Sequence, residues 1–551
     1  MEFLTRRKFI KGAFTSSLLP LLPAVGTGSF SALSLKACQR KSIKTTLHGA
    51  EHDTGHLLRD KEYSFFPLSE VTEEVDILIL GGGVSGLSAR YFLADKSPEK
   101  SVMLLELAPE TGGNARAGSG PEGGRFPWGA HYLPLPSRSN HDLIRFLEKA
   151  GAITDYDSDG SPVYNEDFLI HAPESMLHEF GEKTDGLRPK VNLRPEDKNA
   201  FRKFNSLVKK YSSYTDSKGK RAFGIPLLSE SSHDSDLMAL DQITGIDFLE
   251  REGIISEKVN WYVNYATRDD YGSLARDVSA WAMLHYFCAR DSFLMKGAEN
   301  RTLLTWPEGN SFLVESLLKA VKNERFPIKT NSLVTGIRRD ENFFIAQYLS
   351  LKDKKRKMIR SKNIISALPE FVFRRLLSNE LGEKFFLRPQ LEYVPWLIVN
   401  LSIPKLPFNY QNIPWDSVSI HTPDLGFVRS DHQSFSPGLV PTVLTFYYPL
   451  AEEDPKVARS WLLENDPLVF TELACRRLDA MYPGLSDFVT KSDIWYWGHG
   501  MAKPRPGIIS NRISEKDVLP SGLVYAHTDQ SVISVFEEAF YHGKRGAEIV
   551  N

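Results

Sequence analysis

The residues with the plainest chemical purpose lie at positions 81–86. Gly81-Gly82-Gly83-Val84-Ser85-Gly86 satisfies the pattern G-x-G-x-x-G. In a dinucleotide site each glycine has a physical task. Gly81 permits a tight turn, Gly83 has no Cβ to block a pyrophosphate, and Gly86 lets a helix pack closely on a strand. A helix opening at Val84 and Ser85 aims free N–H groups and partial positive charge at the phosphates. Glu106 stands 20 residues after Gly86. A carboxylate there can accept both ribose hydroxyls and would repel a 2′-phosphate.

The elements that must position these residues flank them directly. Val75-Asp-Ile-Leu-Ile-Leu80 is a β-branched, nearly all-apolar run, as in strands buried on both faces. Leu87 to Ala94 has helical composition, and Ser101-Val-Met-Leu-Leu-Glu106 reads as a second strand ending in the acid. Strand, glycines, helix, strand and acid in that order predict a Rossmann-type unit.

The segment after Glu106 distinguishes one cofactor from another. Glu106-Leu-Ala-Pro-Glu-Thr-Gly112-Gly113-Asn114-Ala-Arg116 resembles the second flavin motif of the glutathione-reductase-like FAD proteins, which include flavin amine oxidases, protoporphyrinogen oxidases and carotenoid desaturases. The resemblance implies paired glycines beside the pyrophosphate, with Arg116 contacting it. Phe126-Pro-Trp128-Gly129-Ala130-His131-Tyr132 falls where the family brings a Gly-rich loop against the flavin ring, and Gly129 and Ala130 are small enough for that approach. Trp306 to Ala320 resembles the turn and helix preceding a strand, Ile328 to Ile337, in which Val334 would contact the adenine. Asn363 to Pro369 resembles the strand and turn that close this section. Gly522 to Ala547 resembles the C-terminal strand–acid–loop–helix element, with Asp529 at the ribityl-phosphate region and a helix N-terminus facing the flavin ring.

The implied fold class is α/β. A Rossmann-type FAD domain with a parallel sheet (75–136, 300–375 and 490–551) interleaves with a mixed sheet-plus-helix substrate domain (137–299 and 376–489). Helices are expected at 140–151, 195–213 and through most of 243–297, and strands at 391–402 and 440–449. No cysteine lies in the C-terminal flavin motif, so the FAD is expected to be non-covalent. The implied activity is oxidation of a C–H bond next to a heteroatom or a conjugated system. Two alternatives stand beside it: a desaturase or isomerase of an apolar substrate, and a flavin-binding envelope protein without turnover. A cavity open to the flavin favours an enzyme.

Departures from the family pattern bear on the substrate. His527 and Glu538 occupy positions where glycine is usual, and Val535 stands where many simple amine oxidases place a cage tyrosine. A valine offers no π face to an amine. Small primary amines are therefore expected to be poor substrates, and a larger, partly apolar molecule is expected instead. Trp495, Trp497 and His131 are candidates for its cavity wall. His131 and Lys503 are candidate catalytic groups, the latter by position only.

The first residues read as an address. Thr5-Arg6-Arg7-Lys8-Phe9-Ile10-Lys11 before an apolar stretch resembles a twin-arginine export signal, which implies the twin-arginine translocase as partner and an exported, periplasmic or envelope location. Leu35-Lys36-Ala37-Cys38 resembles a lipoprotein box that would attach Cys38 to a membrane lipid, and Ser29-Phe30-Ser31 offers a competing cleavage site. Residues 38–74 read as a polar, irregular linker or arm over the domain surface. The pair His52 and His56 reads as solvated rather than metal-binding.

Composition narrows the remaining classes. Hydrophobic residues make up 42% and charged residues 25%, as in globular proteins. Lys and Arg total 67 against 69 Asp and Glu, which leaves no electrostatic footprint for nucleic acid. Three cysteines in 551 residues exclude a disulfide framework. No apolar run reaches the ~20 residues a spanning helix needs. Asp155 to Glu166 satisfies a calcium-loop pattern, but Pro162 and Pro173 disrupt the flanking features, and a hairpin turning at Asp159-Gly160 explains the same residues.

Overall fold

The computed structural model describes residues 43–49, 51–59, 71–120, 123–171, 173–290, 303–514 and 519–551. The twin-arginine pair, Ser29-Phe30-Ser31 and Cys38 lie outside the described residues.

Two sheets carry the architecture. The first is seven-stranded, in the order 328–329, 102–105, 73–80, 355–366, 343–350 and 332–340, with 523–525 also pairing with 355–366. Its central strands run parallel, 73–80 between 102–105 and 355–366. The all-apolar residues Ile77 to Leu80 are fully buried, because helices cover one face and further apolar layers the other. Helix Val84–Lys96 packs extensively on the C-terminal helix Phe536–Ile549. Gly543 permits this contact, since a Cβ on it would stand 2.2 Å from the Ser85 carbonyl oxygen.

The second sheet is eight-stranded, in the order 44–49, 491–502, 393–403, 442–449, 427–429, 416–419, 175–179 and 182–185. A separate layer of helices, 195–212, 245–251, 257–271 and 280–288, encloses its own apolar core around Phe201, Phe204, Trp281 and Phe287.

Three expected boundaries move. Strand Lys491–Ala502 belongs to the second sheet, so the last segment of the dinucleotide domain begins after it rather than at 490. Its consecutive aromatics Trp495, Tyr496 and Trp497 fall on alternate faces, Tyr496 in one apolar cluster and the two tryptophans in another. Helices His141–Lys149 and Asn379–Phe386, expected in the substrate domain, bury Leu143, Leu147, Leu381 and Phe385 against the dinucleotide sheet. The linker is not irregular throughout, since Lys44–Gly49 is a strand and His52–Arg59 a helix.

Residues 153–156 and 162–164 pair as a hairpin, with Gly160 at φ +79° in its turn.

Candidate active site

Two cavities adjoin, a groove of about 1010 Å³ and a narrower cavity of about 350 Å³. Asn114, Ala130, Asn310, Trp497, Gly500, Ser534, Val535 and Phe536 line both and mark where they meet.

The groove runs past the glycine loop. Gly81 turns at φ +97°, a conformation that side chains resist. A Cβ on Gly86 would stand 1.9 Å from the Gly81 carbonyl oxygen, so only glycine lets helix 84–96 leave the strand at this angle. Gly83 differs, because a Cβ there would meet no protein atom within 4 Å and would project into open space. No carboxylate occupies the first helical turn and no side chain caps it, which leaves the positive end of the helix for an anion. Glu106 Oε2 accepts the Gly82 N–H at 2.6 Å and Oε1 accepts the Ala108 N–H at 2.8 Å. Burial raises its pKa. Gly112, Gly113, Arg116, Val334 and Asp529 also line the groove. The Arg116 guanidinium lies 4.8 Å from the centre of the Trp495 ring. Burial works against the Asp529 charge, yet His527 and hydrogen bonds from Tyr393 and the Glu370 N–H hold its carboxyl at about 2.

The loop Gly129–Tyr132 lines the narrower cavity, with Ala130 reaching the groove as well, and is stitched in place. The Ala130 N–H bonds to the Asn114 carbonyl at 2.9 Å. Asn310 Nδ2 donates to the Tyr132 carbonyl at 3.0 Å. A Cβ on Gly129 would stand 2.6 Å from the Asn114 oxygen. Here the sequence favours a close backbone approach over a packed side chain. Such a cradle, with an open Gly83 and a bare helix N-terminus, fits FAD, which Gly83, Glu106, Arg116 and Val334 would hold.

The narrower cavity is acidic and aromatic. Asp269, Asp270, Asp416, Glu174 and Glu537 line it with one arginine, Arg290. Arg290 approaches Asp270 at 3.4 Å and Glu537 at 3.8 Å. Burial, with the neighbouring Asp270 charge, lifts Asp269 to about 7. Burial and Asp269 push Asp416 well above the usual carboxylate range. Burial raises Asp270, Glu174 and Glu537 too. Trp396, Trp415, Tyr265 and Tyr447 supply the apolar walls.

The catalytic and cavity-wall candidates separate. His131 lines the narrower cavity and stacks on Tyr447 with ring centres 4.4 Å apart. Burial lowers its imidazole to about 3, so it is neutral at ordinary pH. Trp497 lines both cavities, and its indole N–H donates to the Trp128 carbonyl at 2.7 Å. Trp495 lines neither and is packed behind Arg116 and Trp128. Lys503 lines neither and pairs with Glu392 at 2.5 Å, which removes it from the candidate catalytic groups. Val535 lies at the junction. Glu538 is fully buried, and its carboxylate accepts the Leu227 N–H at 2.5 Å, tying the C-terminal helix to the helical layer. Sequence reasoning misses the carboxylate cluster. Its signal is Arg268-Asp269-Asp270 within helix Glu257–Tyr271, charges adjoining residues that pack into a core. Among the described residues, no group of three or more His, Cys, Asp or Glu is arranged to hold a metal ion.

Comparison with known proteins bears on this geometry. Residues 79–150 match the NAD(P)-binding Rossmann-like domain family. A stretch of 111 residues, 20% of this chain, is 34% identical to the NADH:acrylate oxidoreductase of Vibrio harveyi, and the match spans only 10% of that protein. A redesigned putrescine oxidase superposes with a TM-score of 0.63 at 12% identity, over 87% of this chain and 99% of that one. Cyclohexylamine oxidase from Brevibacterium oxydans gives 0.62 at 16% identity, over 86% and 98%. A fatty acid isomerase from P. acnes that produces CLA gives 0.57 at 16% identity, over 86% and 98%.

Proposed function

We propose that this chain, which has the fold of the flavin amine oxidases, is an FAD-dependent oxidoreductase whose substrate is an elongated cation with an apolar body. The observation that carries the reading is the meeting of the glycine-lined groove with a separate acidic cavity. When bound, the flavin would supply the oxidising chemistry, accepting a hydride equivalent from a C–H bond of the substrate.

The chain's own residues bind, orient and exclude water. Gly83, the N-terminus of helix 84–96 and Arg116 receive the cofactor phosphates, and Glu106 receives the ribose. Asp529, with its low pKa, keeps a fixed negative charge that anchors Glu370 and Tyr393 beside the groove. The rings of Trp396, Trp415 and Tyr447 hold the apolar part of the substrate away from water. Asp269, held at about 7 and so partly ionised at neutral pH, lines the narrower cavity and not the groove. There it receives a positive charge away from the junction, beside Asp416, which burial keeps protonated. The reacting C–H bond then lies near Val535 and Trp497. Neutral His131 accepts or donates a hydrogen bond without carrying charge.

The lining speaks against an anionic apolar substrate such as a fatty acid, because its arginine, Arg290, is already paired with Asp270 and Glu537. The open cavity speaks against a flavoprotein without turnover. The experiment is anaerobic reduction of the purified yellow protein by a panel of amphiphilic cations and fatty acids. Bleaching by a cation supports the reading; bleaching only by a fatty acid overturns the substrate class. FAD is expected to leave the denatured protein after heat or acid, and flavin remaining attached would contradict the non-covalent reading. The chain is further read as exported by the twin-arginine translocase and tethered through Cys38.

A further inference from the structure

We propose that residues 44–49 and 51–59 form a strap that closes the cofactor groove and contributes His52, His56 and Arg59 to holding the bound dinucleotide. This inference rests on the reading of the groove as an FAD site.

The strap bridges both sheets. Lys44–Gly49 pairs in parallel with Lys491–Tyr496 at the edge of the second sheet. His48 Nε2 lies 2.8 Å from Asp493 Oδ1. The His48 ring lies nearly parallel to Trp495, at 4° with centres 6.4 Å apart, and Trp495 carries the Arg116 guanidinium. One end of the strap is thus fixed to the support of a groove residue.

The chain then reverses through Glu51, at φ +44°, into helix His52–Arg59. Leu58 packs against the apolar cluster of the dinucleotide sheet that includes Leu105, Val334 and Phe373. A Cβ on Gly55 would touch Leu107, the residue after Glu106. An isolated eight-residue helix is unstable in water, so tertiary contacts must hold this one. No residue of it is fully buried, and it rests on the groove rather than inside a core.

His52, His56 and Arg59 can donate to an anionic ligand, whereas Glu51 beside them cannot. Glu51, His52, Gly55, His56 and Arg59 all line the groove. The facing walls bring Arg116, Arg375, Lys456 and Arg459. Cations on several sides of one groove suit the two negative charges of a pyrophosphate, which an open surface would leave to water.

The test uses the full-length holoprotein and follows FAD release by the rise in flavin fluorescence after dilution. Three forms are compared with the parent: His48→Ala, which frees the anchor; His56→Ala with Arg59→Ala, which removes ligating groups; and deletion of residues 43–59. Release is expected to be about tenfold faster or more in each, as for loss of a charge-assisted bond. The flavin-free point variants should melt with flavin-free parent protein. Trypsin should cut after Arg59 more slowly in the holoprotein than in the flavin-free protein, and an equal rate counts against the strap. Release within twofold of the parent in both point variants overturns the proposal, whatever the deletion does. A parent that binds no FAD overturns the groove reading itself, which is a separate result.

Discussion

The phenol of Tyr132 donates a hydrogen bond to Asp269 Oδ2 at 2.7 Å, and both side chains face the narrower cavity. Tyr132 sits at the end of the loop Gly129–Tyr132 that lines this cavity, so the bond couples that loop to the carboxylate cluster. A hydrogen bond to the ionised carboxylate favours its charge, while burial and Asp270 oppose it.

Asp269 should therefore act as a pH-dependent cation receptor. Its carboxyl, held at about 7, gains charge as pH rises through neutrality. The KM for a cationic substrate is expected to fall across that range and level off above it. Asp269→Asn should raise KM at pH 8 about tenfold or more and flatten the profile, with FAD content unchanged. Steady-state kinetics from pH 5.5 to 9 checks this; an unchanged profile rules it out.

The same carboxyl costs stability at neutral pH. The folded state keeps a proton to about 7 that the unfolded chain releases near 3.8. Stability from this group is greatest below 3.8 and falls as pH rises toward 7. Thermal melts at pH 5 and pH 8 should differ less in Asp269→Asn than in the parent. An equal difference would show that other groups carry the effect.

Two glycines in one loop should fail in different ways. Gly83→Asp places a carboxylate in open space where phosphates belong, so the protein should fold and bind no FAD. Gly86→Val forces atoms into the Gly81 carbonyl and should cost more than ~2 kcal/mol of stability. Flavin absorbance and thermal melts separate the two, and normal flavin content in Gly83→Asp removes the dinucleotide assignment.

Small amines should reduce the flavin slowly. Beside Trp497 and Phe536 at the junction, Val535 and Gly500 supply no aromatic ring, and the carboxyls that would hold an ammonium line the narrower cavity instead. Stopped-flow reduction by benzylamine and putrescine is the measurement. Rapid, saturable bleaching by either refutes the elongated-cation reading.

Export should depend on the arginine pair. Arg6→Lys with Arg7→Lys is expected to leave yellow protein in the cytoplasm, and Cys38→Ala to release it from the membrane. Fractionation with immunoblotting checks both; a mature N-terminus near Ala32 would end the lipid-anchor reading.

The dinucleotide unit is legible in the sequence because its constraints are local. A strand, a turn and a helix N-terminus lie within a few residues, and each glycine reports a backbone need. The acidic cavity is not legible, since Asp269 and Asp416 come together only through the packing of a helix on a distant sheet. Lys503 is a candidate by its position in the chain, yet Glu392 holds it outside both cavities. The strap is hidden because a six-residue strand and an eight-residue helix containing Gly55 give too little periodicity.

His48 and Asp493 are 445 residues apart in sequence. A ribosome releases the strand Lys44–Gly49 almost at once but makes its partner strand only when about nine-tenths of the 551 residues are complete. Until then the first strand has no edge to join. The wall it builds over the groove can therefore form only near the end of synthesis, after the glycine loop and its helix have emerged. The groove's lining residues Asp529, Ser534, Val535 and Phe536 are made after the partner strand, so strap and groove are completed together at the end of synthesis.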